Sequence, residues 1–319
     1  MPSLRPSRSR RSVGGPRIVV LGDLVVDVVL APDRALEHGT DVPGRVAFVQ
    51  GGSAANTARW LGRLGVRSSL IAAVGRDAAG RALVDAIRSD GVVARVVRVA
   101  GARTGRIGIL VAPDGERSFV TDRGAALQLR PSDLRPAWFA RVDALHLPAY
   151  SLFDEPLSLA GRRAIELGRA QGATVSVDLA SIGPLLAKGR RAARALLAEA
   201  APDILFATAS EAEGLLGKYA VDGLLDLAAI AVVKRGSKGA TVLARDGDAR
   251  LRFEVATTPV SAADTTGAGD AFDAGFLVGW FGARTAGRAL PASLQRAVLA
   301  GHRAAARQLT STRAELAIG

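Results

Sequence analysis

The 319-residue chain contains no cysteine, so it has neither a disulfide framework nor a thiolate nucleophile. Its three histidines, His38, His146 and His302, are far apart and lack the spacing of a metal site. No apolar run approaches the roughly 18–20 residues that a membrane span needs. The basic N-terminus also lacks the apolar stretch of a secretory signal. We therefore expect a cytoplasmic protein.

Aromatic residues and lysine are scarce in a chain that is otherwise strongly basic. Aromatics make up 4% of the residues, the formal net charge is +12, and only 4 of the 42 basic residues are lysines. Because base-stacking platforms are rare, we attribute the arginines to solvated helix faces and expect no specific nucleic-acid partner. Residues 1–16 are predicted to form a disordered basic tail. A nucleic-acid role would appear as salt-dependent DNA retention that is lost when this tail is removed.

Strand-like and helix-like segments alternate along the rest of the chain, residues 17–319. This alternation predicts an α/β domain with an open, mainly parallel sheet and helices on both faces. Ligands of such sheets bind at the carboxyl ends of the strands. Two β-rich segments, at about 28–50 and 95–121, do not fit the alternation and are predicted to form a small separate sheet that acts as a lid.

The stretch "DTTGAGDAFDAGF", residues 264–276, places glycines immediately before an aspartate at the start of an apolar helix. The first turn of a helix offers unpaired N–H groups and a positive dipole end, which suit an anion. Asp270 could simply cap this helix. It could also stand beside a bound phosphate and accept a proton from the attacking group. No GxxxxGK[ST] motif is present, which excludes the P-loop route to phosphate binding.

A second glycine-led helix is predicted at "GGSAANTARWLGRLG", residues 51–65. Ser53 is a plausible N-cap of this helix. Asn56 is a poor choice for a helix interior, and its amide could donate to and accept from a polyol. Asp27 interrupts the apolar run "VVDVV", so it either faces solvent at a strand end or binds hydroxyl groups. The residues alone leave both readings open.

The two glycine stretches together resemble the two signatures of the ribokinase-like (PfkB) carbohydrate kinase family. With the alternation and the small sheet between them, the resemblance covers about residues 17–312. It implies a ribokinase-like fold and an ATP- and Mg²⁺-dependent kinase that phosphorylates a hydroxymethyl group of a sugar or sugar-like molecule. It also suggests a homodimer formed through the lid.

The resemblance implies a role for each matching residue. Catalysis falls to the base Asp270 and the anion hole Gly267, Ala268 and Gly269. Acceptor binding falls to Asp27, Gly51, Gly52, Ser53 and Asn56, while Arg123 and Arg106, in or beside the lid, could meet an anionic substrate. Nucleotide binding falls to Lys234, Gly236, Ser237, Gly239, Thr208 and His302. Lys234 stands where the family often has threonine; it could contact phosphate or extend from a strand end to solvent, and His302 could equally be an ordinary helix residue.

Three departures from the family pattern are visible. Its Asn-x-x-Glu motif, which organises magnesium, is "TASE" here, so Glu211 is retained for Mg²⁺ while Thr208 replaces the amide. Asp264 and Thr266 match half of a monovalent-cation site. Arg313, however, stands near a position where the family often has glycine, so activation by K⁺ is left open. Val25 stands where ribokinase has asparagine, which disfavours ribose.

Two alternatives remain. A nucleoside kinase would use the same chemistry, although the lid segments contain only Phe48 and Phe119 as aromatic residues for stacking a base. A non-catalytic sugar- or nucleotide-binding regulator would follow if the "TASE" departure had abolished activity, but the retained glycine loop and Asp270 argue against it.

Overall fold

The computed structural model describes residues 15–112, 116–218, 220–262 and 264–318. Residues 1–14 of the basic tail predicted over 1–16 therefore lie outside the described part of the chain. No helix within these ranges is both long and apolar enough to cross a membrane.

Strands and helices alternate over most of the chain, as the sequence predicts. Among the described residues the strands are β1 (Arg17–Leu21), β2 (Val25–Pro32), β3 (Gly44–Gly51), β4 (Arg67–Gly75), β5 (Val93–Val99), β6 (Thr104–Val111), β7 (Arg117–Gly124), β8 (Ala144–Pro148), β9 (Thr174–Asp178), β10 (Ile204–Thr208), β11 (Ile230–Lys234), β12 (Ala240–Asp246) and β13 (Ala249–Val255). The α-helices are α1 (Ser53–Arg63), α2 (Ala78–Ser89), α3 (Leu157–Ala170), α4 (Ile182–Leu186), α5 (Arg190–Ala200), α6 (Ala209–Leu216), α7 (Ala268–Thr285) and α8 (Leu290–Leu309).

The large sheet has nine strands within the described ranges, in the order β13-β12-β11-β10-β9-β8-β1-β4-β5. Its strands pair in parallel except for β11–β12 and β12–β13, which pair antiparallel. Side chains of each strand alternate between two apolar layers: Ile18 and Val20 join one, Val19 and Leu21 the other. Helices α1, α2, α7 and α8 cover the first face and α3 to α6 the second. This confirms the predicted α/β architecture.

A second, four-stranded sheet has the order β3-β2-β6-β7. The apolar run at 17–30 is divided between the two sheets: β1 lies in the large sheet and β2 in the small one. Residues 93–99 pair with β4 at the edge of the large sheet, so the second segment of the small sheet begins at Thr104 rather than near residue 95. The sequence pattern did not distinguish these cases because both sheets use alternating β-type residues.

The two faces of the small sheet differ in their surroundings. On β7, Arg117 and Arg123 reach residues of the large domain, so Phe119, which alternates with them, lies on the same inner face. The opposite, outer face exposes a group of apolar side chains: Leu30, Val46, Phe48 and Val120. Closure of this sheet as a lid, and a homodimer formed through it, stay predictions.

Candidate active site

The carboxyl edge of the large sheet gathers several polar side chains. Asp178, Thr208 and Lys234 are the last residues of β9, β10 and β11, and Asp23 follows β1. Because these four strands are parallel, their carboxyl ends meet at one edge of the sheet. The N-terminus of α7 and the start of α1 contribute to the same edge.

Helix α7 begins where the glycine motif predicts. Gly267 precedes it with φ +77°, a left-handed backbone conformation that is energetically unfavourable for residues with a β-carbon. The N–H groups of Gly269 and Asp270 lie in the first turn and have no acceptor within the helix. The Ala268 N–H already donates to the Thr265 carbonyl at 3.2 Å. The predicted anion hole thus has the expected helix N-terminus, although its Ala268 N–H is engaged in the turn.

The two glycine motifs meet at the carboxylate of Asp270. Ser53 Oγ donates to Asp270 Oδ1 at 2.7 Å, and Asn56 Nδ2 donates to Asp270 Oδ2 at 2.9 Å. Ser53 and Asn56 lie one turn apart on α1 and therefore share the face that packs against α7. Two residues of α1 and an aspartate more than two hundred positions later in the sequence thus form one hydrogen-bonded group.

Burial raises the pKa of Asp270 to about 7, and the nearby carboxylate of Asp178 adds to this. The hydrogen bonds from Ser53 and Asn56 and the charge of Lys234 act in the opposite direction because they stabilise the ionised form. A carboxylate that titrates near neutral pH can both accept and return a proton, which suits a general base.

Asp27 lies on β2, and its carboxylate reaches Gly51 at the end of the neighbouring strand β3, just before α1. A β-carbon at residue 51 would lie 1.8 Å from Asp27 Oδ1, so only glycine allows this close approach. Gly52 is the N-cap of α1. Burial raises the pKa of Asp27 to about 6, and Arg313, whose Nη1 donates to Asp27 Oδ2 at 2.8 Å, opposes this rise.

Arg123 and Arg106 have different positions. Arg123 Nη1 donates to Asp23 Oδ2 at 3.1 Å, and its guanidinium lies 3.9 Å from the ring centroid of Tyr150. Asp23 is almost fully buried. Arg106 pairs across the sheet with Val26 and is exposed, on the face opposite to Arg123. Of these two arginines, only Arg123 lines the cleft.

Lys234 is surrounded by carboxylates rather than extended into solvent. Its Nζ lies 3.1 Å from Asp178 Oδ1 and 3.1 Å from Asp273 Oδ1. Asp273 is fully buried on α7, one turn after Asp270. A β-carbon at Gly269 would lie 3.4 Å from Lys234 Nζ, so the ammonium group sits directly beside the predicted anion hole.

Opposing effects act on the charge of this group. Burial lowers the pKa of Lys234, but the carboxylates of Asp178, Asp273 and Glu211 outweigh it and raise the pKa overall. Burial and the charge of Asp178 raise the pKa of Asp273, while Lys234 lowers it. Lys234 is therefore a protonated cation at neutral pH.

The remaining nucleotide-side residues lie along the same edge. Thr208 and Glu211 form a capping box on α6: Thr208 N donates to Glu211 Oε2 at 2.7 Å, and Glu211 N to Thr208 Oγ1 at 3.3 Å. Gly236 and Ser237 form an exposed turn after β11, closed by the Arg235 N–H bond to the Gly239 carbonyl. His302 on α8 lies 5.4 Å from the Phe272 ring, and burial lowers its pKa.

Sequence reasoning did not assign site roles to four charged residues of this site, namely Asp23, Asp178, Asp273 and Arg117. It treated Arg313 only as a departure from the family pattern. Asp23 and Asp178 had a readable signal, because each stands at the carboxyl end of an apolar strand, where ligands of parallel sheets bind. Asp273 was also conspicuous as a carboxylate within the apolar run of α7.

Comparison with known proteins identifies the family. The sequence profile of the pfkB family of carbohydrate kinases matches residues 16–317. The chain belongs to this family. It is a carbohydrate kinase, a phosphotransferase with an alcohol group as acceptor, as the two glycine motifs predict.

Three relatives illustrate the range of the similarity. Fructokinase-1 of Oryza sativa subsp. japonica is 32% identical over 268 residues, which cover 80% of each chain. The crystal structure of adenosine kinase from Sinorhizobium meliloti superposes with a TM-score of 0.80 at 25% identity, covering 93% of this chain and 95% of that one. Fructokinase from Vibrio cholerae O395, solved with fructose, ADP and calcium, superposes with a TM-score of 0.74 at 23% identity, covering 93% and 94%.

Proposed function

We propose that this pfkB-family kinase transfers the γ-phosphate of ATP to a hydroxymethyl group of a sugar or a sugar-like molecule. The observation that carries the proposal is the convergence of both glycine motifs on Asp270, through Ser53 and Asn56. The similarity to a plant fructokinase supports a sugar acceptor. The ADP and fructose bound to the Vibrio cholerae enzyme agree with this pair of substrates.

On the acceptor side, Asp27 and Asn56 orient the hydroxyl groups of the substrate. Asp270 takes the proton of the attacking hydroxyl as its oxygen bonds to the γ-phosphorus and the bond to the leaving ADP oxygen breaks. Closure of the small sheet over the cleft excludes water and so prevents hydrolysis of ATP. These roles need positioning rather than covalent chemistry from the protein.

On the nucleotide side, the first-turn N–H groups of α7 and the ammonium of Lys234 stabilise the charge on the transferred phosphoryl group. Gly236, Ser237 and Gly239 contact the nucleotide phosphates, and His302 with Phe272 borders the adenine. A divalent cation bound with the nucleotide would neutralise phosphate charge. One Glu211 oxygen accepts a hydrogen bond from Thr208 N, and the other would hold Mg²⁺ through water.

The raised pKa values predict an activity loss on mild acidification. The parameter kcat/KM for the acceptor reports the free enzyme, in which both Asp270, with a pKa of about 7, and Asp27, with a pKa of about 6, must be ionised. Lowering the pH through these pKa values protonates both carboxylates. The slope of log kcat/KM against pH should therefore steepen from one towards two. The pH profile of kcat should show only the ionisation of Asp270, because bound acceptor keeps Asp27 ionised. A flat profile between about pH 5 and 8 would contradict these roles.

A nucleoside kinase is the second candidate, favoured by Phe119. This ring lies on the inner face of β7, between Arg117 and Arg123, and is about half exposed. An aromatic face in that position could stack on a base, and the chain is similar to a bacterial adenosine kinase.

The test is ADP release by the purified protein with ATP and Mg²⁺ across pentoses, hexoses, sugar acids, sugar phosphates and nucleosides. We expect turnover with a sugar class. Phe119→Ala should then leave the acceptor KM nearly unchanged, whereas for a nucleoside it should raise KM by about tenfold through lost stacking. ATP binding without turnover on any acceptor would favour the binding-only alternative.

A further inference from the structure

Arg313 is held at the cleft by the segment that follows α8. Val49 and Glu315 form an antiparallel bridge at the outer edge of β3, and Leu316 N donates to the Phe48 carbonyl at 2.7 Å. Arg45 adds an exposed ion pair to Glu315, with Nη2 and Oε1 2.6 Å apart. The two backbone contacts tie the segment to the small sheet, while the exposed ion pair adds little. The Arg313 side chain points inward, where it is 12% exposed.

The guanidinium of Arg313 lies between two carboxylates that belong to different parts of the site. Its Nη1 donates to Asp27 Oδ2 at 2.8 Å, on the proposed acceptor side. Its Nε lies 3.3 Å from Oδ2 of Asp264, in the loop that leads to Gly267 and α7. One side chain thus connects the acceptor carboxylate with the loop that precedes the anion hole.

The loop of Asp264 and Thr266, which resembles half of a monovalent-cation site, does not fit a cation in this chain. One Asp264 oxygen faces Arg313 and the other lies 3.1 Å from Arg117 Nη1. Arg117 also donates to Thr266 Oγ1, and Gln308 Nε2 donates to the Thr266 carbonyl at 2.9 Å. The oxygens are thus occupied by donors, and two guanidinium groups would repel an added cation.

We propose that Arg313 is a positioning residue that stands in place of a monovalent cation, holding Asp27 and the Asp264 loop at a fixed spacing. The inference rests on the proposed function, because it takes Asp27 as the acceptor-binding carboxylate. Arg313 also balances a local excess of negative charge, since Asp23 and Asp264 both lie near Asp27. The kinase reaction of this chain is therefore independent of K⁺.

Steady-state kinetics of Arg313→Gln, Arg313→Lys and the control Arg45→Gln test the positioning role. The control removes the neighbouring ion pair to Glu315 without touching Asp27 or Asp264. We expect Arg313→Gln to raise the acceptor KM by roughly tenfold or more, the equivalent of one charge-assisted hydrogen bond, with a smaller effect on kcat. Arg313→Lys keeps the positive charge but not the forked geometry of the guanidinium group. Its acceptor KM should therefore lie between those of the wild type and Arg313→Gln. Equal kinetics for Arg313→Gln and Arg45→Gln would overturn the proposal.

Replacing KCl by tetramethylammonium chloride at constant ionic strength tests the cation part. We expect the wild-type rate and the midpoint of thermal unfolding to be the same in both salts. A K⁺-specific activation, or a K⁺-specific rise of about 3 °C or more in the midpoint, would show a bound cation and overturn the inference. The unfolding comparison needs no turnover. It therefore decides this point even if no acceptor supports ADP release, which would instead count against the proposed function.

Discussion

Replacement of Asp270 by asparagine is expected to lower kcat by roughly 10²- to 10⁴-fold, the usual contribution of a general base. Asparagine keeps the size of the side chain but cannot accept the proton of the attacking hydroxyl. It also places an amide where the carboxylate accepts hydrogen bonds from both Ser53 and Asn56, so one of these donors loses its acceptor. The effect should appear in ADP release at saturating ATP and acceptor.

The control for this variant is Asp85→Asn, which changes an exposed carboxylate on α2. Nucleotide binding, measured by calorimetry, should persist in Asp270→Asn, because the first-turn N–H groups of α7 do not depend on the side chain. A loss of kcat smaller than about tenfold, with binding intact, would remove Asp270 from the role of base.

Replacement of Lys234 by methionine is expected to reduce both stability and activity. It leaves Asp178 and Asp273 buried without their cation, and breaking such a buried pair costs about 3–5 kcal/mol of unfolding free energy. Loss of the positive charge beside Gly269 should also lower kcat, by roughly 10²- to 10³-fold if the ammonium stabilises the transferred phosphoryl group. Chemical denaturation gives the first quantity and ADP release the second.

A matched control and a double-mutant cycle separate these effects. Lys188→Met breaks an exposed pair with Asp154 and should cost no more than about 1 kcal/mol. Adding Asp273→Asn to Lys234→Met removes one uncompensated charge and should restore part of the stability, with a coupling of about 1–3 kcal/mol. It should not restore kcat. If Lys234→Met lowers the unfolding free energy no more than Lys188→Met does, the buried contacts of Lys234 with Asp178 and Asp273 do not stabilise the fold as the geometry indicates.

Local sequence patterns predict much of this fold because they act over a few residues. The helices α7 and α1 are each predicted from a glycine turn and the apolar run that follows it. The run at 17–30 was the exception. A continuous apolar stretch is equally compatible with one strand or two, and only the pairing of β1 with β4 and of β2 with β3 divides it.

For the site, the sequence alone determined that the carboxylate of Asp270 stands at a helix N-terminus, because the glycine turn and the helix start are encoded within a few residues of it. Tertiary structure decided its partners. The contact between Arg313 and Asp27 joins residues 286 positions apart, and the pairing of Lys234 with Asp178 and Asp273 joins three separate elements. Arginine, lysine and aspartate side chains are mostly found on solvated surfaces. Only burial at the shared sheet edge, where an unpaired charge is costly, makes these pairings obligatory.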